Sequence, residues 1–592
     1  WGRISPAVFG SMFQTVKSKK ARGQLGEFYT TETNILRTIE PLFLNELRDR
    51  LKAAWDDIEG LRTLHGDLAR MRFMDPACGC GNFLIVTYRE LRALELELLK
   101  RRDELALAAA VGSGEYRRGK SAKPGIAQMS FDPTIDLHVT LDQFYGIEIE
   151  AWPAKIAETA MFLVDHLANK AMKDELGDPP NRLPIEIAPH IHNEDALTAD
   201  WTEFLLPDLH VFIFGNPPFL GQYNKSAAQT ALTKAVWADD YNGYLDFVTC
   251  WHKKSIDYFG DTPGRWAFVS TNSVSQGEAC AALWRPILRE GWRCRFAHRS
   301  FQWTSEHPKH ANVHVSIIGF DRATSPTPAL WTYSEGGKGE PQLNAAEHIN
   351  PYLIDYSKNT VVDSLTNPLV PQLIPVVYGS KPTDDRGKLS KILGDVYPSV
   401  SADLIAAKYL RRLVGADELL DGRDRWCLWL VDAPETDLNA STVIRDRVQA
   451  VREFRLKSSD AQTRKAADWP HRFQYVRQLD VNYLAIPRHV SELRRYYPTG
   501  HLAPEVICSD ANFMAPDPTG FLLGILSSTM FITWQKAIGG RIKSDIRFSN
   551  TFSYNSFPLP TLTDRQQAAI ATGGQSIVAA RELYPDKTLA QL

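Results

Sequence analysis

The chain has 592 residues, which exceeds a single domain and predicts two to four of them. Its hydrophobic fraction of 44% and charged fraction of 23% are typical of globular proteins and exclude a disordered or collagen-like chain. The net charge of −3 shows no overall basicity, but residues 445–501 contain twelve Lys or Arg against six Asp or Glu. This local excess predicts one basic surface on a nearly neutral protein, which is compatible with nucleic-acid binding.

The seven cysteines are scattered, and none belongs to a Cys-x-x-Cys pair. This pattern argues against a structural metal and favours a reducing, cytoplasmic environment. No run of about 18 apolar residues and no signal peptide is found, so no membrane association is predicted. The sequence begins at Trp1 rather than at a methionine, and we therefore expect a further region upstream.

In chain order, residues 1–70 are predicted to form a mostly helical segment that is irregular at 23–31. From residue 71 onward, short apolar runs alternate with helical patterns. The predicted strands are 72–75, 144–149, 211–215, 266–271 and 313–320, and the predicted helices include 83–100, 153–169 and 244–258. This alternation predicts an α/β domain at 71–330 with a mainly parallel, Rossmann-like sheet, interrupted by a polar insertion at 101–142.

The second half of the chain predicts a separate region. Residues 321–385 contain many Pro, Gly, Ser and Asn residues without regular periodicity, so we place a domain junction there, with a linker at 331–385. Residues 386–560 interleave basic and aromatic residues and predict a mixed α+β domain. A single C-terminal helix is expected at 561–592.

The most specific motif is Asn216-Pro217-Pro218-Phe219, which follows the apolar strand 211–215. Both prolines fix their φ angles and lack an N–H, so the loop is rigid and no local donor competes for its carbonyl groups. An amide, a fixed carbonyl and an aromatic ring suit a flat ligand with an amino group, such as a nucleobase or another planar amide. A turn with a packed aromatic ring is the simpler alternative for this motif alone.

An acidic, glycine-containing turn follows the first predicted strand. Its sequence is Asp75-Pro76-Ala77-Cys78-Gly79-Cys80-Gly81. Glycines in such a turn let a ligand approach the backbone, and the helix that follows supplies free N–H groups. Since a third glycine and a P-loop lysine are both absent from the motif, a phosphate is disfavoured and a cationic ligand fits better. A plain strand-to-helix turn is the alternative.

Two further carboxylates end the next apolar stretches. Glu148 could accept both hydroxyls of a ribose, as the acid of a Rossmann fold does, although the insertion at 101–142 separates it from the first turn. Asp195 could accept from the exocyclic amine of an adenine. Taken singly, Glu148 is a surface carboxylate and Asp195 is a cap or a solvated loop residue.

In this order, the motifs resemble the amino-group methyltransferases that use S-adenosylmethionine, and in particular the gamma class of DNA adenine-N6 methyltransferases. The resemblance implies a methyltransferase domain at 71–330, with Asn216-Pro217-Pro218-Phe219 as its catalytic motif. It also implies a target-recognition domain at 386–560 and double-stranded DNA as the partner.

A second resemblance is closer and extends from about residue 1 to residue 590. The segments similar to MmeI-type (type IIL) restriction–modification enzymes include Leu25-Gly26-Glu27-Phe28-Tyr29-Thr30, Phe296-Ala297-His298-Arg299, Trp426-Cys427-Leu428-Trp429-Leu430 and Gly539-Gly540-Arg541. Members of that family carry an N-terminal nuclease, whereas this sequence contains no acid–Glu-x-Lys nuclease constellation. Either a nuclease lies outside it, or the protein only methylates, as adenine methyltransferases of phage-defence systems do.

The resemblance implies a mechanism and a set of site residues. The Asn216 side chain and the Pro217 carbonyl would accept from the N6 amine of an adenine, and Phe219 would stack on this base after it leaves the duplex. Phe320 is the candidate for the second face of the base, with Phe301 as the alternative. The expected contacts of S-adenosylmethionine are Tyr29, Thr30, Asp75, Cys78, Gly79, Glu148 and Asp195, and no metal is expected.

Sequence specificity is expected to reside in 386–560. Lys543, Asp545 and Arg547 resemble positions at which this family contacts base edges. Lysine donates to guanine O6 and N7 and aspartate accepts from cytosine N4, so the pair predicts a recognised G·C base pair with guanine on the methylated strand. A solvated hairpin is the alternative without the family resemblance.

Three other classes match parts of the pattern. Protein glutamine methyltransferases also place Asn-Pro-Pro and an aromatic residue against an amide, but they are much shorter and lack a large C-terminal region. Cytosine-N4 methyltransferases more often have Ser or Thr before the two prolines. A DNA-binding subunit with an inactive methyltransferase fold is disfavoured because Asn216 and the cofactor residues are intact.

Overall fold

The computed structural model describes residues 30–112, 137–176, 187–222, 224–303, 313–323, 327–334, 337–384, 400–542 and 544–592. The chain divides into two compact units. The first contains the described residues up to Ser275 together with Ala279–Val361, and the second contains Gln276–Glu278 together with Val362–Leu592. Among the described residues, no helix is both long enough and apolar enough to cross a membrane.

A nine-stranded sheet organises the first unit. Its strands are β1 (Arg72–Asp75), β2 (Phe144–Ile147), β3 (His190–His192), β4 (Val211–Gly215), β5 (Arg265–Thr271), β6 (Arg293–Gln302), β7 (His314–Asp321), β8 (Ala329–Ser334) and β9 (Lys338–Ala345). Their spatial order is β3-β2-β1-β4-β5-β7-β6-β8-β9. The first five pair in parallel, whereas β7 is antiparallel to both β5 and β6. Because the strand order reverses between β1 and β4, the loops after these strands flank the switch point where open α/β sheets bind ligands.

Helices precede and connect these strands. They are α1 (Glu32–Ile39), α2 (Asn45–Ala53), α3 (Ile58–Arg70), α4 (Asn82–Gly112), α5 (Ala151–Leu176), α6 (Ala227–Trp237), α7 (Thr249–Phe259) and α8 (Gly277–Arg289). Local capping explains where several of them begin. The Asp57 side chain accepts from the N–H of Glu59 at the start of α3, and Ser226 forms a capping box with Gln229 at the start of α6.

Aromatic side chains fill the core beside β1 and β4. All five residues of β4 are buried, as expected for a central parallel strand that is covered on both faces. Phe212 and Phe214 are two residues apart and so face the same side, where their rings lie 5.0 and 6.1 Å from the ring of Phe43. Phe73 of β1 stacks on Phe144 of β2 at 5.0 Å. The packing of these rings fixes the strands side by side, and with them the loops that follow.

Three small sheets and several helices form the second unit. The strands are β10 (Val377–Tyr378), β11 (Leu410–Val414), β12 (Trp426–Leu428), β13 (Tyr483–Pro487), β14 (His489–Val490), β15 (Gly500–Leu502), β16 (Ile507–Cys508), β17 (Asn512–Pro516), β18 (Arg541–Ile542) and β19 (Asp545–Arg547). The sheet orders are β10-β17-β13-β15, β12-β11-β16 and β14-β19-β18. The α-helices are α9 (Ala416–Asp421), α10 (Glu435–Ala440), α11 (Thr442–Leu456), α12 (Ala461–Lys465), α13 (Phe521–Leu526), α14 (Thr529–Ile538) and α15 (Asp564–Glu582).

A buried arginine joins distant segments of the second unit. Arg455 of α11 is fully buried, and its guanidinium group donates to five backbone carbonyls. The accepting carbonyls belong to Pro382, Thr383, Ala466, Trp469 and Arg472. Burial lowers the pKa of Arg455 to about 10, which leaves the side chain charged at neutral pH. A single charged group therefore holds the segment before residue 385 against the turns that follow α11.

The predicted fold class is confirmed, with β1 and β4 at the predicted bounds. The predicted linker at 331–385 is wrong in its first part, because most of β8 and all of β9 lie there and continue the sheet. The side chains of β9 are almost all exposed, so no apolar alternation marks this strand in the sequence. β6 was missed as well, although most of its residues are buried.

Candidate functional site

The loop after β4 places an amide beside a hydroxyl group from the N-terminal segment. Asn216 follows β4 directly, and its Nδ2 donates to Oγ1 of Thr30 at 3.1 Å. Thr30 is 4% exposed, so this bond is shielded from water. The two residues are 186 positions apart, and the bond fixes the orientation of the Asn216 amide, with the oxygen directed away from Thr30. Pro217 is buried, and the ring of Phe219 is 6% exposed.

The turn after β1 lies against the same loop. A Cβ atom built on Gly215 would lie 2.4 Å from Oδ1 of Asp75, a distance that no real side chain tolerates. The backbone just before Asn216 therefore packs directly on the Asp75 carboxyl group. Only glycine fits at position 215, and this close approach joins the two loops at the switch point.

The Asp75 carboxyl group is in an unusual environment. Its side chain is 1% exposed, and Oδ1 accepts from the N–H of Ala77 at 3.0 Å. Burial raises the pKa of Asp75 to about 8, the nearby Glu148 carboxylate adds to the rise, and the bond from Ala77 opposes it. A cation bound beside the Asp75 carboxyl group would stabilise its ionised form and so offset the unfavourable free energy of burying that charge.

Glu148 links the turn after β1 to the end of β2. Its Oε2 accepts from the N–H of Gly79 at 3.0 Å, and its Oε1 accepts from the N–H of Glu150 at 2.9 Å. Gly79 has a φ angle of +54° and an open space where a Cβ would lie. The predicted pair of Gly79 and Glu148 is therefore brought together, beside room for a ligand.

Asp195 lies in the loop after β3. Its Oδ1 accepts from the N–H of Leu197 at 2.9 Å, so part of the carboxylate caps a short turn, as the simpler alternative proposed. The neighbouring Asn193 donates from Nδ2 to the carbonyls of Glu148 and Ile149 at 2.9 and 3.0 Å. These bonds hold the loop after β3 against the loop after β2.

Cys78 has a packing role that the sequence does not show. Its thiol is buried beside β2, where a Cβ at Gly146 would lie 2.8 Å from Sγ. Burial raises the pKa of this thiol well above its ordinary value, so it stays protonated. The side chain thus fills space behind the turn, while its backbone N–H donates to the carbonyl of Ile147 at 3.1 Å.

Phe320 does not fit the predicted role of stacking on a base. It is fully buried in the middle of the sheet, where its ring stacks on Trp266 at 5.0 Å. β7 runs antiparallel to β5, so Phe320 pairs with Trp266, near the beginning of β5 and away from the edge that carries Asn216. The prediction for Phe320 is corrected, since this residue belongs to the core. The strand direction could not be derived from the apolar run alone.

The alternative, Phe301, lies near the other end of β5. It pairs with Val315 of β7, which also pairs with Thr271, the last residue of β5. Its ring is 2% exposed, stacks on Tyr333 at 4.8 Å and lies under the guanidinium group of Arg37 at 5.4 Å. Phe301 is therefore at the correct edge of the sheet, but its ring is already covered.

In the second unit, Asp545 and Arg547 lie on a tight hairpin formed by β18 and β19. Ile542 pairs with Asp545, and Arg547 pairs with His489 of β14. Asp545 is exposed, and Arg547 is half-buried. Two predicted site residues, Tyr29 and Lys543, lie outside the described residues.

The sequence prediction missed a buried carboxylate beside the predicted catalytic motif. Asp246 is 2% exposed, and its side chain accepts from the backbone N–H groups of Leu220 and Gly221. An isolated acid before a helix is usually a cap, so no pattern distinguished it. An acid in the otherwise apolar run 245–248 was the one available signal.

The strand order and the acidic turns at the switch point define a Rossmann-like fold of the methyltransferase type. Residues 51–332 match the family description "MmeI, DNA-methyltransferase domain", and residues 356–561 match "MmeI, target recognition domain". The chain belongs to the MmeI family, which confirms the resemblance predicted from its motifs.

Two relatives are similar over the whole of this chain. The structure of the type IIL restriction-modification enzyme MmeI in complex with DNA is 38% identical, with a TM-score of 0.88, and the match covers 100% of this chain and 76% of that one. DNA methyltransferase A of Bacillus subtilis (strain 168) is 33% identical over 596 residues, which cover 100% of this chain. The chain spans only 64% of the length of that curated relative.

Proposed function

We propose that this protein transfers a methyl group from S-adenosylmethionine to the N6 amine of an adenine flipped out of double-stranded DNA. The observation that carries the proposal is the contact between two loops at the switch point. The loop that presents Asn216 packs on Asp75, which begins the acidic turn after β1. The Asn216 loop, which is proposed to hold a flat amine, and the Asp75 carboxyl group, which is suited to a cation, are therefore neighbours.

The residues present fit S-adenosylmethionine. Asp75 and Glu148 form a pair of neighbouring carboxyl groups, and Gly79 leaves open space beside them. Together with Thr30 and Asp195, these residues would hold the cofactor, and Tyr29 is proposed to join them from the family resemblance. When bound, S-adenosylmethionine supplies an electrophilic methyl group on a sulfonium. The raised pKa of Asp75 supports a cationic ligand, because a positive charge favours the ionised carboxylate.

The catalytic loop acts by positioning and by hydrogen bonding. The N6 amine of adenine is a weak nucleophile because its lone pair is delocalised into the ring. Hydrogen bonds from N6–H to the Asn216 oxygen and to the Pro217 carbonyl would localise this lone pair and direct it toward the methyl group. The N6 atom would gain the methyl group as the sulfur–methyl bond breaks and leaves a neutral thioether, and one N6 proton would then pass to water. Phe219 would support the flipped base by stacking.

The direct test is analysis of the DNA that the protein modifies. The purified chain is incubated with DNA and labelled S-adenosylmethionine, and the nucleosides are separated by liquid chromatography and mass spectrometry. N6-methyladenine at one sequence motif is the expected product, and Asn216→Ala should form it at a strongly reduced rate. N4-methylcytosine would assign the protein to the cytosine-N4 methyltransferases, and cofactor binding without transfer would indicate an inactive DNA-binding subunit.

A bifunctional nuclease–methyltransferase is the second candidate. It is favoured by the similarity to the structure of the type IIL restriction-modification enzyme MmeI, since restriction requires a nuclease. If a nuclease acts with this chain, DNA that carries the recognised motif should be cut. Methylation of this motif should then block cutting.

The hairpin of β18 and β19 is proposed to select the target sequence. Asp545 is exposed there and can accept from cytosine N4, and Lys543, two positions earlier in the sequence, is proposed to donate to the paired guanine. Charge reversal of both residues, Lys543→Glu with Asp545→Lys, should change one base pair of the methylated motif. Asp586→Lys, a charge reversal at an exposed site in the same unit, is the matched control, and an unchanged motif in both variants would disprove the assignment.

A further inference from the structure

A buried carboxylate organises the loop that carries the catalytic motif. One oxygen of Asp246, Oδ1, accepts from the backbone N–H groups of Leu220 at 3.1 Å and of Gly221 at 2.9 Å. These two residues follow Phe219 directly. The same oxygen accepts from the N–H of Phe247 at 2.6 Å, which holds the carboxylate in place.

The second oxygen of Asp246 reaches the next strand. Oδ2 accepts from the hydroxyl group of Thr271 at 3.1 Å, and Thr271 is the last residue of β5. The Thr271 hydroxyl also lies 2.7 Å from that of Ser273. The carboxylate therefore ties the loop after β4 to the end of the neighbouring strand.

The loop folds closely around this anchor. Gly221 adopts a φ angle of +78°, which turns the chain back, and Asn224 donates from Nδ2 to the carbonyl of Leu220 at 3.0 Å. The ammonium group of Lys225 donates to the carbonyl of Leu245, next to Asp246. Burial lowers the pKa of Lys225, and the charge of Asp246 opposes this change. These bonds restrict the conformations of residues 220, 221, 224 and 225 while the carboxylate is present.

The helix that follows Asp246 holds the other loop of the site. Trp251 lies on α7, is 5% exposed, and donates from Nε1 to the carbonyl of Pro76 at 3.0 Å. Pro76 is part of the acidic turn after β1. The segment 246–251 is therefore hydrogen-bonded to both loops that meet at Gly215. Asp246 bonds to the loop after β4, and Trp251 bonds to the turn after β1.

We infer that Asp246 is a positioning residue for methyl transfer and that Trp251 is its counterpart for cofactor binding. Asp246 holds the loop of Asn216 in the conformation that receives the flipped base. Trp251 holds the acidic turn that binds the methyl donor. This inference rests on the proposed function, and it assigns separate steps to two residues that are only five positions apart.

The test separates the two steps by comparing cofactor affinity with transfer rate. Cofactor affinity is measured by equilibrium dialysis of labelled S-adenosylmethionine. The rate of methyl transfer is measured in a single turnover on an unmethylated duplex that contains the sequence motif recognised by the wild type. For Asp246→Ala we expect a roughly 100-fold lower rate, because a displacement of about 1 Å costs that much, with cofactor affinity within about 2-fold. Asp246→Asn keeps one acceptor oxygen and should recover part of the rate.

Trp251→Phe should give the opposite result. It removes the donor to Pro76 while it keeps an aromatic ring, so cofactor affinity should fall about 5-fold. The single-turnover rate at saturating cofactor should stay within about 2-fold of the wild-type rate. This variant gives a readout that does not depend on Asp246.

Asp165→Ala is the matched control for a general loss of stability. Asp165 is a buried aspartate of the same unit, 8% exposed, and its side chain accepts from the Tyr88 hydroxyl and the Asn169 amide on the helices α4 and α5. It should lower the thermal midpoint as Asp246→Ala does, without a change in rate. Equal losses of rate in both aspartate variants, or a wild-type rate in Asp246→Ala, would overturn the inference. Absence of any methylation by the wild type would instead refute the proposed function.

Discussion

The two units of this protein differ in how their functional residues are arranged along the chain. In the first unit, a parallel sheet brings Asp75, Glu148, Asp195 and Asn216 to the carboxyl ends of four adjacent strands. In the second unit, the proposed contacts with bases lie on one hairpin whose strands have two and three residues. If these proposed roles are correct, chemistry depends on strand order in this protein, whereas specificity depends on one short hairpin.

This difference predicts that variants in the two units affect separate properties. Asn216→Ala should have the largest effect, a loss of about 10²–10³-fold in the rate of methyl transfer, because it removes an acceptor aimed at the reacting amine. DNA affinity, measured by fluorescence anisotropy, should stay within about 2-fold of the wild-type value. A parallel loss of DNA affinity would show that the first unit also recognises DNA, and it would contradict the separation of roles between the two units.

The stability of the second unit should depend on its buried arginine. Arg455→Met leaves five backbone carbonyls without their donor and should cost on the order of 3 kcal/mol in the free energy of unfolding. Denaturant unfolding, followed by tryptophan fluorescence, measures this change. Arg452→Ala alters an exposed arginine of the same helix and should stay within about 0.5 kcal/mol of the wild type. Similar losses in both variants would contradict a special role for Arg455.

The close approach of the two loops in the first unit can be tested by adding one methyl group. Gly215→Ala places a Cβ only 2.4 Å from Oδ1 of Asp75, so the loops must separate. We expect a loss of about 10–100-fold in transfer rate and weaker cofactor binding. Gly66→Ala is the control, because no atom lies within 4 Å of the added carbon in α3, and alanine favours the helix by about 0.5–1 kcal/mol. A wild-type rate in Gly215→Ala would mean that the contact is not required.

Much of the first unit could be predicted from the sequence because its signals are local. The apolar run of β4, the prolines after it and the glycines after β1 each report the conformation of their own residues. Contacts between distant residues gave no such signal. The bond from Asn216 to Thr30, the carboxylate of Asp246 and the antiparallel β7 that buries Phe320 all depend on packing across the sheet. In the second unit, strands of two to five residues carry too little periodicity to be located.

The smallest expected effect concerns the pH dependence of the first unit. Because the pKa of Asp75 is raised to about 8 in the folded protein, the folded state holds this proton more tightly than the unfolded state. The contribution of Asp75 to stability is therefore complete at low pH and is lost as the pH rises toward 8. Asp75→Asn imitates the protonated acid, so the variant should keep this contribution to stability at every pH. The thermal midpoint of the variant, relative to that of the wild type, should rise between pH 5 and pH 8 and then level off.

The same titration connects stability to ligand binding. A cation is attracted only by the ionised carboxylate, so the affinity of the wild type for S-adenosylmethionine should increase over the pH range in which its stability falls. Asp75→Asn should bind the cofactor weakly at every pH. Glu203→Gln changes an exposed acid of the same unit and is the control for unspecific effects of charge. If the difference between wild type and Asp75→Asn does not change with pH, Asp75 is ionised throughout, and its burial is already compensated within the protein.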